Sequence, residues 1–219
     1  MTVATCERTT AAEYHWLYLR AAHDPQVHRP CDPSPDDPCD VLLIGTGWKE
    51  RQDLLEAIDW TGITLHLRGL WPHMSPSSPL HSFYLEGCVD NVDTPALYRA
   101  AKVCLNLHRA HPTAESVNPR AIELAACGAF QVSDRRAELV GLFGESVPTF
   151  ASPEELGYLI RYYLDRPTER DRLAQEARRR VQGETFLVRA TQLLAMVDQR
   201  TRRRTAGPVL VRPLVAVAG

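Results

Sequence analysis

Ala114-Glu-Ser-Val-Asn-Pro-Arg-Ala-Ile-Glu-Leu-Ala-Ala-Cys-Gly128 reads as a loop that turns into a packed helix. Asn118 suits the N-cap, Pro119 the first helical position and Gly128 the closure of the C-terminus. Ala121, Ile122, Leu124, Ala125 and Ala126 make the helix apolar, yet Glu123 sits among them. A carboxylate there is costly to desolvate without a hydrogen-bonding partner. Glu123 lies one turn in and faces the helix mouth, and Glu115 belongs to the loop leading to that mouth. Free N–H groups and the macrodipole of a helix start attract phosphate. Carboxylates repel phosphate but accept hydrogen bonds from hydroxyls. A ligand with phosphate in the middle and hydroxyls at both ends, a nucleotide-sugar, satisfies all of these groups. The same two glutamates also fit an ordinary amphipathic helix with solvated carboxylates.

Outward from this run, strands alternate with helices. Residues 40–45 (Asp-Val-Leu-Leu-Ile-Gly) form a buried strand, followed by a helix over 49–58 and a second strand over 63–68. A Pro/Ser-rich loop spans 69–81, an extended segment 83–89, a short helix 95–101 and a strand 103–107. After the quoted helix come strands at 129–132 and 147–150, with helices at 136–142, 153–164, 167–181 and 185–200. This alternation predicts an α/β fold, a Rossmann-like parallel sheet flanked by helices. Such sheets bind ligands beyond the carboxyl ends of their strands. Gly45, Thr46 and Gly47 stand at such an end, where glycine lets backbone approach a phosphate; a simple tight turn is the competing reading. Trp48 either stacks on a base or covers the core, and packing is the expectation. His108 and Arg109 close another strand and face the same edge. Arg120 sits in the first turn of its helix, where the dipole disfavours a cation unless an anion is bound. A salt bridge to Glu115 or Glu123 is the alternative for Arg120. The glycine loop lacks the third glycine of a dinucleotide fingerprint, which argues against a dehydrogenase.

The segment from Glu115 to Gly128 resembles the E-x7-E signature of retaining glycosyltransferases with the GT-B fold. The stretch from Asp40 to about Phe186 resembles the glycosyltransferase-like domain of CgeB-type spore-maturation proteins. The likeness is carried by residues 40–48, by Leu97-Tyr98-Arg99-Ala100-Ala101-Lys102, by Leu105-Asn106-Leu107-His108 and by 125–134. It implies the C-terminal half of a GT-B fold, moving a sugar from a nucleotide diphosphate to an unknown acceptor, retaining and without a metal. On that resemblance Glu115 accepts from donor-sugar hydroxyls and Glu123 from the ribose. The backbone N–H groups of Ser116, Val117 and Asn118 hold the diphosphate, with Gly45, Thr46 and Gly47 nearby. The acceptor half is expected from elsewhere, on a separate N-terminal half or a partner chain, or the gene is truncated. The alternative is a non-catalytic nucleotide-sugar-binding or protein-interaction remnant.

The 219 residues, 44% hydrophobic and 24% charged with a net charge of -2, suit a soluble globular domain and give no electrostatic case for nucleic acid. No apolar run approaches a membrane span. The six cysteines form no C-x-x-C pair and are expected as free thiols in a reducing, cytoplasmic setting. His108 and His111 lack a third ligand, so neither a metal nor a cofactor is expected. The domain is drawn at 40–200, preceded by an extension and Asp/Pro-rich linker over 1–39. A disordered basic and apolar tail is expected over 201–219.

Overall fold

A computed structural model describes residues 18–85, 87–109 and 115–205. Within them five parallel strands form one sheet: β1 Cys39–Ile44, β2 Leu65–Arg68, β3 Ala101–Asn106, β4 Gln131–Asp134 and β5 Thr149–Phe150. Their order is β2-β1-β3-β4-β5. Seven helices accompany them: α1 Lys49–Glu56, α2 Thr94–Ala100, α3 Pro119–Ala126, α4 Ala137–Phe143, α5 Pro153–Leu164, α6 Pro167–Val181 and α7 Phe186–Thr205. Val41 lies opposite both Leu65 and Val103, so β1 is an interior strand, paired on both edges.

Strand periodicity divides the core between the two faces. Val41, Leu43, Val103 and Leu105 pack with Leu55 of α1 and Leu156 and Ile160 of α5. Leu42, Ile44 and Cys104 point the other way, onto Tyr98 of α2 and Leu124 of α3. Burial on both faces is what makes the strands read as continuous apolar runs. From β1 the chain moves outward to β2, then returns across β1 to β3 and continues the other way. The order therefore reverses between β1 and β3, and the crevice outside their carboxyl ends is the place where such sheets take ligands.

Three sequence expectations shift. Among the described residues of 83–89 there is no strand; Tyr84 makes one isolated bridge, to Leu67, after a 3-10 turn over Pro79–Phe83. Ser78 starts that turn by accepting the Leu80 N–H at 3.2 Å, with Pro79 already set for the first position. The segment before β1 is not a free linker. Ala22, His23, His28 and Asp37 are buried, and Asp37 binds Arg68 at 2.6 Å. His23 pairs with Thr185 in an isolated parallel bridge, through His23 N–H to Glu184 O at 2.9 Å and Phe186 N–H to His23 O at 3.2 Å. At the other end α7 continues to Thr205, past the boundary expected at Arg200. The rest of the tail, 206–219, His111, and residues 1–17 lie outside the described residues.

Candidate functional site

The loop after β1 is fastened to the chain leaving β2. Gly45 N–H donates to Arg68 O at 2.9 Å and Gly47 N–H to Leu70 O at 2.8 Å. Gln52 Nε2 donates to Gly47 O at 2.7 Å. A Cβ on Gly47 would stand 2.2 Å from the Trp71 ring, so glycine is required by packing. Trp71 is thus the tryptophan that fills the core beneath the loop. Trp48, expected to pack, is 37% exposed instead, and Arg109 lies over its ring at 4.6 Å. Arg109 is consequently directed to an aromatic face at the rim.

Two guanidinium groups meet at the switch point. A Cβ on Gly45 would lie 3.0 Å from Nη1 of both Arg51 and Arg120, so each cation rests against the bare Gly45 backbone. Arg51, in the first turn of α1, donates Nη1 to Thr46 O at 2.8 Å and Nη2 to Leu107 O, bridging the loops after β1 and β3. Burial first, and then the Arg120 charge, hold the Arg51 guanidinium below its ordinary value. Arg120 forms no ion pair with Glu115 or Glu123, and its Nε, like that of Arg51, is buried without a partner among the described residues. Two adjacent, partly desolvated cations with unused donors have the chemistry to take an anion. Arg51 escaped the sequence reading although the signal was there: it is a cation in the first turn of a helix that follows a glycine loop, the same anomaly that singled out Arg120.

At the start of α3, Asn118 caps as expected, accepting the Ala121 N–H at 2.9 Å. Its amide also donates to Asn106 Oδ1 at 2.9 Å, tying the cap to the end of β3. His108 bridges this cap to β4. Its Nε2 accepts the Asn118 N–H at 3.1 Å, so the proton resides on Nδ1 and is donated to Asp134 at 2.7 Å. Both ring nitrogens are used, and the ring clamps β3, β4 and α3 together. Burial alone would raise the Asp134 carboxyl. Hydrogen bonds from the His108 ring and backbone, with the Arg136 charge, outweigh it and hold the carboxyl below its ordinary 3.8. A carboxyl depressed by folding contributes stability that is full above its unfolded value and lost as pH falls through the folded one. Asp134→Asn is therefore expected to cost about 1–3 kcal/mol at pH 7. Urea unfolding should show the gap to the parent shrinking once pH drops below 3.8.

The expected diphosphate donors also need correction. Val117 N–H is taken by Glu138 Oε2 at 2.8 Å and Asn118 N–H by His108, so of the three expected donors Ser116 alone keeps its N–H uncommitted among the described residues. Glu115 is exposed, its Oε2 caps α4 by accepting the Ala137 N–H at 2.8 Å, and its Oε1 has no partner among the described residues. Glu123 is half-buried, and its carboxylate has no hydrogen-bond partner among the described residues. It lies close enough to Tyr98 for its charge to bear on that hydroxyl, which burial pushes up to about 12 and which the Arg120 charge lowers. Glu123 and Arg120 thus share the Tyr98 neighbourhood, whereas Glu115 is turned toward α4. Open clefts of about 410 Å³, lined by Ser34, Arg68, Asp90 and Leu97, and of about 210 Å³, between α2 and α6, include neither glutamate. Among the described residues no three His, Cys, Asp or Glu side chains converge on one point, and no helix is long and apolar enough to cross a membrane.

Solved structures share this architecture. Sucrose-phosphate synthase from Thermosynechococcus elongatus superposes with a TM-score of 0.65 at 19% identity, over 83% of this chain and 52% of that one. Anabaena Alr3699/HepE, solved with UDP-glucose, gives 0.61 at 15%, over 81% and 56%. A glycosyltransferase from Rickettsia africae gives 0.61 at 13%, over 84% and 56%. The chain therefore spans about half the length of these proteins. No curated protein matches the sequence. Residues 40–195 match the Glycosyl transferase-like family, which covers the whole sheet and the paired arginines, and the chain belongs to that family.

Proposed function

We propose that this domain binds a nucleotide-diphospho-sugar at the β1–β3 switch point and passes the sugar to an acceptor with retention, using guanidinium groups where other enzymes use a metal. The observation that carries the reading is the pair Arg51 and Arg120, pressed against Gly45 with unpaired buried donors. Charge developing on a departing diphosphate is stabilised most by donors fixed in advance in a poorly hydrated place. Positioning of acceptor and sugar supplies the remainder. Glu123, unpartnered near Tyr98 and Arg120, is assigned to the ribose hydroxyls, and Oε1 of Glu115 to the donor sugar. Ser116 and the Gly45–Thr46–Gly47 backbone line the phosphates. The UDP-glucose held by Alr3699/HepE supports a donor of this class. Within the family we read the chain as CgeB-type, its donor domain as residues 40–200, and its acceptor surface as belonging to a second half on this or another chain.

Calorimetric titration with UDP, GDP and their sugars tests the reading. Glu123→Ala is expected to weaken nucleotide binding by about 1–3 kcal/mol, the loss of a charged hydrogen-bond acceptor. Unchanged affinity removes Glu123 from the site. Binding without release of sugar to any acceptor would favour a binding module over a transferase.

A further inference from the structure

Tyr18 and Arg20 belong to the irregular segment before β1, yet both reach Glu138 in the first turn of α4. The Tyr18 hydroxyl donates to Glu138 Oε2, and Arg20 Nε donates to Oε1 at 2.8 Å. The same Oε2 accepts the Val117 N–H at 2.8 Å. The return traffic is equally specific: Glu138 N–H donates to Glu115 O at 3.1 Å, and the Glu115 carboxylate takes the neighbouring Ala137 N–H. The stretch from Glu115 to Asn118 and the start of α4 are thus sewn together from both sides. Arg20 stands 3.6 Å from Glu184, which also pairs with Arg189 of α7. The segment's hold on Glu138 is in this way referred to the far end of the fold.

We propose that Glu138 is a positioning residue for the donor loop, held in place by Tyr18 and Arg20 of the N-terminal segment. The proposal rests on the reading of Arg120 and its loop as donor-binding. Val117 is 4% exposed, so removing the Glu138 carboxylate leaves a buried N–H unsatisfied. The loop then relaxes toward water, carrying with it the Asn118 cap, and Arg120 two residues further. The charge on Glu138 also has a partner, since Arg20 offsets it and keeps a bare carboxylate from facing the bound phosphates. Burial raises the Glu138 carboxyl, but bonds from Arg20, Tyr18 and Val117 prevail and hold it below its ordinary 4.5.

UDP calorimetry on the whole chain decides the matter, with urea unfolding of each variant alongside. Glu138→Ala is expected to weaken UDP binding by about tenfold, the loss of one buried hydrogen bond and the order it imposes. Glu138→Gln keeps an oxygen for the Val117 N–H and should recover to within about threefold of the parent. Arg20→Ala should fall between the two. A merely structural Glu138 would lower the unfolding midpoint of the alanine variant and leave UDP affinity untouched, with no rescue by glutamine; that outcome overturns the proposal. Failure of the parent to bind UDP or GDP overturns the donor reading and this proposal together. Binding that is lost in Arg51→Ala and unchanged in Glu138→Ala keeps the first and sinks the second.

Discussion

Arg51→Ala/Arg120→Ala is expected to lose nucleoside diphosphate binding by two to four orders of magnitude, roughly 3–6 kcal/mol for two charge-assisted contacts. Each single variant should lose about ten- to a hundredfold. The two singles should part company in stability. The Arg120 side chain makes no hydrogen bond among the described residues and keeps a buried, unpartnered Nε, so its removal takes away a desolvated cation and costs little. Arg51 holds the carbonyls of Thr46 and Leu107, so its alanine variant should also unfold earlier in urea. Strong loss of binding with unchanged stability is the mark of a group kept for its ligand. Equal affinity in parent and double variant, measured by calorimetry, would remove the anion receptor altogether.

Gly69→Ala should be the most damaging single change to the fold. Gly69 adopts φ +103, a region that side chains rarely occupy, and its Cβ would meet Gly45 O at 2.6 Å. The obstructing atom is backbone belonging to the loop that carries the arginines, so no rotamer change relieves the clash. Strain and overpacking together are expected to cost about 3 kcal/mol or more. Gly62→Ala provides the reference: φ is +74 but nothing lies within 4 Å. There only the backbone term applies, about 1 kcal/mol. Denaturant titration of the pair separates crowding from conformation, and equal losses would show that the Gly45 loop yields.

The parts of this fold that local chemistry determines were readable in advance. Helices α5 and α6 run over Pro153–Leu164 and Pro167–Val181 as expected, because a proline opens each and Ser152 caps the first. The alternation that fixes a parallel sheet was equally local, as were the Asn118 cap and the glycine loop. What could not be read were partnerships across long sequence separations. His108 appeared free at a strand end, but Asp134 and Asn118 claim both of its nitrogens. Val117 appeared to offer its N–H to a phosphate, but Glu138 arrives from another helix. Glu115 reads from sequence as a ligand for sugar, and its carboxylate caps α4. Trp48 and Trp71 are alike in composition terms; only the space above Gly47 tells which one is enclosed.

The bridge between His23 and Thr185 joins stretches from opposite ends of the described chain, and it carries a kinetic consequence. Closing so large a loop is entropically slow, so this contact has little chance of forming before the sheet exists. It encloses the His23 imidazole beside the His28 ring, and the burial that lowers its pKa exists only once the core is in place. The clasp therefore belongs to the last stage of folding and to the earliest stage of fraying.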